Sequence, residues 1–142
     1  MVRMMHDSDF DAFLANVDAA QAEFARGDPG AFKALWSHSD EVSLSGGHGG
    51  VIVVGWDDVS DRLDWASSTY RDGHRSTDNI SGHVGEDFAY VVRKETIEAT
   101  IGGGATRSRQ ELRVTMVFRR DREGWRIVHR HADSQMSELL PR

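Results

Sequence analysis

The chain has 142 residues, of which 39% are hydrophobic, so it can form one domain with a substantial core. A formal net charge of -6 argues against nucleic-acid binding, which needs clustered positive charge, and a mean hydropathy of -0.51 argues against a membrane protein. Cysteine is absent from the sequence, which excludes disulfides, thiolate metal sites and cysteine nucleophiles.

A single domain over residues 1–142 is expected, with its core at about 8–134 and a short C-terminal tail at 135–142. The start of the chain becomes acidic at Asp7, which is too early for a secretory signal. A cytoplasmic location is therefore the default expectation.

The first half of the chain predicts three helices and one short strand. Apolar residues recur at three- and four-residue steps over residues 8–26, the pattern of an amphipathic helix that Ser8 can cap. Asp28-Pro29 then predicts a short second helix, because proline is favoured at the first helical position. A short strand is expected around residues 41–44, and a third helix begins at Trp56.

Four glycines lie within residues 46–50, a composition that also occurs in phosphate-binding loops. Such a loop needs a preceding strand and a following helix that carries Lys-Ser/Thr, whereas a β-branched run follows here at residues 51–55. We therefore predict a loop at the mouth of a pocket, or a hairpin, and expect no cofactor.

The pattern changes to strands from Gly73 onward. Strands are predicted over residues 75–84, over 88–101, around 112–118, where apolar and polar residues alternate, and over 125–133. Helices followed by a series of antiparallel strands indicate an α+β fold.

Three segments of the chain resemble the nuclear-transport-factor-2-like superfamily, and within it the SnoaL-like, ketosteroid-isomerase-like group. They are a helix–Gly-Asp-Pro–helix sequence ending at Val42, the helix start at residues 55–59 and the closing strand at 124–133. The resemblance covers about residues 8–134. It implies a cone-shaped, highly curved antiparallel sheet, as in cystatin-like folds, with three helices enclosing a pocket. The group includes isomerases, cyclases, dehydratases, epoxide hydrolases and binding modules, so the resemblance does not specify a reaction.

The catalytic groups of two such enzyme types are not recognisable in this sequence. A ketosteroid isomerase would place a tyrosine on the first helix, a carboxylate after the first strand and a protonated aspartate on a late strand. The first helix has no tyrosine, and the late strand offers only Glu111. Asp64, Arg93 and Asp133 are the residue types of a limonene-type epoxide hydrolase, but their spacing does not show that they meet.

The closing strand carries the candidate catalytic residues His129, His131 and Asp133. On an unbroken strand they share a face with Trp125 and Ile127, which we expect to point toward the helices, with the ring of His131 the more buried of the two. An inward imidazole could act as a general acid or base near neutral pH. Hydrogen-bonded histidines without chemistry, or simple ligand recognition, are the alternatives.

The His-x-His spacing also resembles half of a metal site. A third ligand would have to come from elsewhere, such as His83 or Glu95, and no second motif has ligand spacing. We therefore predict no metal.

Aromatic and apolar residues on the helices and late strands are candidates for the pocket wall or for the core. The predicted pocket-lining residues are Trp36, Trp56, Tyr70, Met116, Trp125 and Ile127.

Arg93 and Glu95 lie on the apolar face of a predicted strand, where charges must be paired or hydrated. They could form cross-strand pairs with Arg113 or Glu111, face a partner subunit, or border the pocket.

These features predict a small-molecule-binding domain, with isomerase, cyclase or hydrolase activity on a hydrophobic ligand as its possible chemistry. The alternative is a non-catalytic association module. In either case we expect a homodimer that forms through the outer face of residues 88–99 and 107–119, where Thr, Val, Arg and Glu mix.

Overall fold

The computed structural model describes residues 7–134; the predicted tail at 135–142 lies outside the described residues. The described part of the chain contains three helices, α1 (Ser8–Phe24), α2 (Gly30–Ala34) and α3 (Trp56–Ser68). It also contains six strands: β1 (Ser43–Ser45), β2 (Val53–Val54), β3 (Tyr70–Val84), β4 (Phe88–Ile101), β5 (Arg107–Asp121) and β6 (Gly124–Ser134). Among these residues, no helix is both long and apolar enough to cross a membrane.

Helix α1 forms because its apolar residues make one continuous stripe that is buried against the sheet. Asp7, one residue before the predicted cap Ser8, accepts a hydrogen bond from the Phe10 N–H at 2.9 Å and so caps the helix. Phe10 then packs edge-on against Phe118 and Trp125, with ring centroids 5.1 and 5.3 Å away. This contact fixes α1 on the inner face of the sheet.

The six strands form one curled, unclosed sheet in the order β2-β1-β6-β5-β4-β3. All neighbours are antiparallel except β1 and β6, which pair in parallel over Ser43–Ser45. The predicted α+β fold is confirmed, with this short parallel pair as an addition to the antiparallel sheet.

Strand β3 begins five residues earlier than predicted and lies directly against the end of α1. The Gly73 N–H donates to the Ala25 carbonyl at 3.0 Å, and a Cβ at residue 73 would lie 2.1 Å from that oxygen. The register with β4 shifts between Arg71 and His74, with Asp72 at φ 53°. This close approach sets the position of Arg75, two residues further along the strand.

Strand β6 contains a β-bulge that the sequence analysis did not predict. Phe118 of β5 opposes Ile127, but Val117 opposes His129, so Val128 is an extra residue in β6. The bulge adjoins Ile127, whose N–H and carbonyl bond to Leu35 and Ser37 after α2, each at 2.9 Å. Beyond the bulge the two faces of the strand are exchanged.

Candidate functional site

A cavity lies between the helices and the inner face of the sheet; we call it the inner cavity. Its volume is about 60 Å³, several times the roughly 10–15 Å³ that a cavity needs to hold one water. Apolar side chains form most of its wall, and they come from helices and strands far apart in sequence: Phe24, Phe32, Leu44, Leu63, Ile97 and Leu112. Polar groups meet at the sheet side, where Tyr70, Arg75, Glu95 and Arg130 border the cavity.

Glu95 is the centre of a buried charge cluster beside the inner cavity. Its Oε1 lies 2.8 Å from Arg130 Nη2, and its Oε2 accepts from Arg130 Nη1 at 3.1 Å and from Arg93 Nε at 3.0 Å. Arg93 also donates to Asp18 Oδ1 at 2.8 Å and to Gln21 Oε1 at 2.6 Å, so all three of its nitrogens are bonded. The cluster therefore joins α1, β4 and β6.

Arg75 is the least satisfied member of this cluster. Its Nη2 lies 3.0 Å from Glu95 Oε1, close enough for an ion pair, yet the N–H geometry gives this buried nitrogen no hydrogen-bond partner. Its side chain is only 6% exposed. Arg75 Nη2 and Glu95 Oε1 therefore attract each other as an ion pair, although no N–H of this nitrogen is aligned for a hydrogen bond.

The cluster controls the protonation of its members. Burial alone would raise the pKa of Glu95, but the charges and hydrogen bonds of Arg130, Arg75 and Arg93 hold it well below its usual range. Burial lowers the pKa of Arg75, whereas Glu95 outweighs the effect of burial on Arg130 and raises its pKa. Burial also raises the pKa of Tyr70 to about 12, despite the nearby positive charge of Arg130. Glu95 is therefore ionised and Tyr70 is neutral at physiological pH.

A hydrogen-bond chain fixes the tautomer of His48, whose ring borders the inner cavity 5.2 Å from the ring of Tyr70. The Thr69 hydroxyl donates to the Ala66 carbonyl at 2.6 Å, so it accepts from His48 Nε2 at 2.9 Å. His48 Nδ1 is then an acceptor for Gln110 Nε2 at 3.3 Å, and Gln110 Oε1 accepts from the Tyr70 hydroxyl at 2.6 Å. Burial lowers the pKa of His48, which favours this neutral form.

The glycine-rich segment at 46–50 connects β1 to β2 and borders the inner cavity. The sequence predicted either a hairpin or a loop at a pocket, and the segment has features of both. A Cβ at Gly47 would lie 2.8 Å from Leu112 Cδ1, so any larger residue would require the Leu112 side chain to shift. The loop thereby brings His48 into the wall of the cavity.

The six residues predicted to line the pocket separate into three groups. Tyr70 borders the inner cavity. Trp36, Met116, Trp125 and Ile127 are buried in the hydrophobic core instead. Trp56 lies nearer the surface, where its ring stacks on His38 at a centroid distance of 4.0 Å.

The predicted orientation of His129, His131 and Asp133 is wrong. The bulge at Val128 turns His129 and His131 to the outer face, and Arg130 to the inner cavity. The His129 Nδ1 lies 2.7 Å from Ser43 Oγ, and His131, half exposed, lies 3.3 Å from Asp133. Burial and the nearby His131 lower the pKa of His129.

The other residue sets considered from the sequence do not come together. Asp64 pairs with Lys33 at 2.8 Å and Asp133 with Arg113 at 2.9 Å, both at the surface, while Arg93 is buried. The three residues of the epoxide-hydrolase type are therefore not brought together.

Within residues 7–134, no group of three His, Cys, Asp or Glu side chains could hold a metal ion.

The placement of Arg93 and Glu95 on the inner face of β4 agrees with the sequence pattern. Their partners differ from the predicted ones, because Arg113 pairs with Asp133 and Glu111 with Lys94 at the surface. Of the three alternatives, the one in which they border the pocket describes Glu95.

A family model described as a SnoaL-like domain matches residues 4–136 of the chain. The chain belongs to the SnoaL-like family. This membership confirms the resemblance drawn from the sequence. No curated protein matches the chain in sequence.

Solved structures share the fold of this SnoaL-like chain at low sequence identity. A candidate dehydratase of the nuclear-transport-factor-2-like family from Streptomyces avermitilis has a TM-score of 0.76 at 22% identity, covering 93% of this chain and 100% of that chain. A ketosteroid isomerase-like protein from Erwinia carotovora atroseptica has 0.75 at 16%, covering 93% and 100%. A candidate calcium/calmodulin-dependent protein kinase type II association domain from Thiobacillus denitrificans has 0.72 at 19%, covering 89% and 94%. These identities show a common fold alone.

Five polar residues of this SnoaL-like site were not predicted from the sequence: Gln21, His48, Arg62, Arg75 and Arg130. Gln21 was detectable, because it lies one residue after Ala20 on the apolar stripe of α1. Arg130 was detectable only through the need of Glu95 for a buried cation. Nothing local to His48 or Arg75 indicates their position, since each depends on a loop or bulge geometry.

Proposed function

We propose that the protein binds a small molecule in the inner cavity. The observation that supports this most strongly is the cavity's construction, with apolar walls and a few polar groups converging on one side, which is typical of small-molecule sites. Membership of the SnoaL-like family is consistent with this role.

The size of the inner cavity limits the ligand to a few non-hydrogen atoms. Its volume of about 60 Å³ is far below the roughly 300–1,000 Å³ of sites for drug-sized ligands. A polycyclic hydrophobic ligand exceeds this volume. The proposed ligand is therefore small, whereas the sequence analysis predicted only that it is hydrophobic.

Binding is favoured over isomerase, cyclase or hydrolase chemistry because the titratable groups around the cavity already take part in hydrogen bonds or ion pairs within the protein. Glu95 contacts three guanidinium groups, and its low pKa makes it a weak base. Both ring nitrogens of His48 are hydrogen-bonded, and Tyr70 has a pKa of about 12 and donates to Gln110. His129 and His131 lie on the outer face and outside the wall of this cavity, so their predicted catalytic role stays a prediction.

A ligand screen with a cavity-filling variant tests this proposal. The wild-type protein is screened by thermal shift and NMR against carboxylic, carbonyl and hydroxy compounds of up to about six non-hydrogen atoms. A ligand at about one hundred times its Kd stabilises the folded state by about 2.7 kcal/mol.

Ala66 borders the inner cavity, so Ala66→Leu places three more carbon atoms in a space of about 60 Å³ and abolishes the response. Ala15→Leu makes the same substitution at an exposed position of α1 and leaves the response intact. If Ala66→Leu folds and still responds like the wild type, the inner cavity is not the binding site. If no compound binds the wild type, the proposal fails.

An association role is the second candidate function, and the outer face of the sheet favours it. Ile80, Phe88 and Tyr90 are 45%, 53% and 43% exposed on β3 and β4. Ile80 and Thr115 border a groove of about 420 Å³, and Phe88, Tyr90 and Thr115 border a second one of about 370 Å³. Exposed apolar side chains concentrated on one face are typical of a protein–protein contact.

A further inference from the structure

We propose that the inner cavity takes a small monocarboxylate, with the ligand's carboxylate against the guanidinium of Arg75 and its short apolar tail against the walls formed by Phe24, Phe32 and Leu63. This inference rests on the proposed small-molecule function and names the ligand class.

The first step is the charge balance of the buried cluster. Arg75, Arg93 and Arg130 carry three positive charges, and Glu95 and Asp18 carry two negative ones, which leaves one positive charge. A buried charge without a counter-charge is costly, so a site built in this way favours an anion. A monoanion neutralises this cluster; Arg62, which also borders the cavity, is half-buried and lies outside the cluster.

The second step is the location of the excess charge. Arg93 has a hydrogen-bond acceptor for each of its three nitrogens, and Arg130 makes two bonds to Glu95. Arg75 borders the cavity and has a buried Nη2 without a hydrogen-bond partner. Glu95 Oε1, which lies 3.0 Å from this nitrogen, already accepts a hydrogen bond from Arg130 Nη2 at 2.8 Å. An acceptor atom on a ligand would give Arg75 Nη2 the hydrogen bond that it lacks.

The third step is the chemistry of the remaining wall. A guanidinium group matches the planar fork of a carboxylate, to which it can donate two parallel hydrogen bonds. The apolar walls disfavour a fully hydrated anion such as inorganic phosphate, and the volume of about 60 Å³ restricts the tail to a few carbons. These properties together select a short aliphatic acid.

A matched pair of probes tests whether binding depends on the charge of the ligand or on its shape. Propionate and propionamide have nearly the same size and differ in charge, and each is titrated into the isotopically labelled wild-type protein by NMR at constant ionic strength. Propionate shifts the signals of cavity residues and binds about tenfold or more tightly than propionamide, because a hydrogen bond to a charged group contributes more than a neutral one. Inorganic phosphate is titrated in a third arm and binds more weakly than propionate.

Three variants assign the effect to Arg75. Arg75→Met removes the charge, keeps much of the aliphatic stem and weakens propionate binding about tenfold or more. Arg75→Lys keeps the charge without the planar fork and gives an intermediate affinity. Arg71→Met is the control, because Arg71 is an exposed arginine on the same strand whose Nη2 donates to the Gly104 carbonyl at 3.0 Å.

The possible results test the carboxylate inference separately from the proposed small-molecule function. Propionate binding that depends on Arg75 but not on Arg71 supports both. Equal binding of propionate and propionamide, or an unchanged affinity in a folded Arg75→Met, overturns the carboxylate inference and leaves the small-molecule function standing. Phosphate binding as tight as that of propionate also overturns the carboxylate inference. If neither organic probe binds but other neutral compounds do, only the inference fails; if nothing binds, both fail.

Discussion

At the scale of single residues, Glu95 has the largest influence on the inner cavity. It is fully buried and lies within 3.1 Å of nitrogens from three arginines. Because the arginines hold its pKa far below the ordinary value of 4.5, Glu95 contributes stability above about pH 4.5. That contribution is lost as the pH falls toward the pKa of the folded state.

Glu95→Gln is therefore expected to destabilise the protein by about 3–5 kcal/mol at neutral pH, since it leaves buried guanidinium groups without their carboxylate. Urea unfolding at a series of pH values measures this cost. The difference from the wild type is largest above about pH 4.5 and shrinks on acidification.

Glu98→Gln is the control for this measurement, because Glu98 is half exposed on the same strand and lies 3.7 Å from Arg109. It changes the stability by no more than about 0.5 kcal/mol at any of these pH values. A cost of Glu95→Gln that equals the control, or that does not depend on pH, would contradict the role assigned to the charge cluster.

At the scale of elements, the bulge in β6 decides which side chains reach the inner cavity. Because of the bulge, Arg130 lies inside and His131 outside. Arg130→Ala is expected to cost about 3–5 kcal/mol of unfolding free energy, since it removes the bidentate partner of buried Glu95. His131→Ala is expected to cost no more than about 0.5 kcal/mol.

Chemical denaturation of the two variants compares them directly. They are neighbours on one strand, so any general effect of shortening a side chain there is shared between them. A larger loss in His131→Ala than in Arg130→Ala would show that the strand runs without the bulge.

The elements also show how far the sequence determines the fold. The predicted bounds of β4, residues 88–101, coincide with the strand, because its alternation is unbroken and its pairing with β5 has no register shift. The inward placement of Arg93 and Glu95 follows from the same alternation.

The faces to which the side chains of β6 point could not be predicted from the alternation of its residues. The extra residue Val128 is an ordinary β-former and carries no glycine or proline signal, yet it exchanges the faces of all following residues. The partners of Glu95 were unpredictable for a related reason, since Arg75 and Arg130 reach it only after a bulge in each strand. Among the polar residues of the proposed cavity wall, the sequence predicted Tyr70 and gave Glu95 as one of three alternatives.

At the scale of the whole molecule, the sheet presents two faces of different character. The inner face holds the hydrophobic core, the buried charges and the cavity. The outer face combines exposed apolar side chains with surface ion pairs, Lys94 to Glu111 at 3.2 Å and Arg113 to Asp133 at 2.9 Å. An apolar centre with a polar rim is the usual composition of an interface between subunits.

A homodimer formed through this outer face is the prediction at this scale. Light scattering at micromolar concentration is expected to give about twice the chain mass of 15.9 kDa. Tyr90→Lys places a charge among the exposed apolar side chains and shifts the protein to the monomer, because a buried unpaired charge opposes association. Val54→Lys adds the same charge at a 61% exposed position on β2, at the other edge of the sheet, and leaves the dimer intact. A wild-type mass equal to one chain, or equal masses for a folded Tyr90→Lys and the wild type, would contradict this interface.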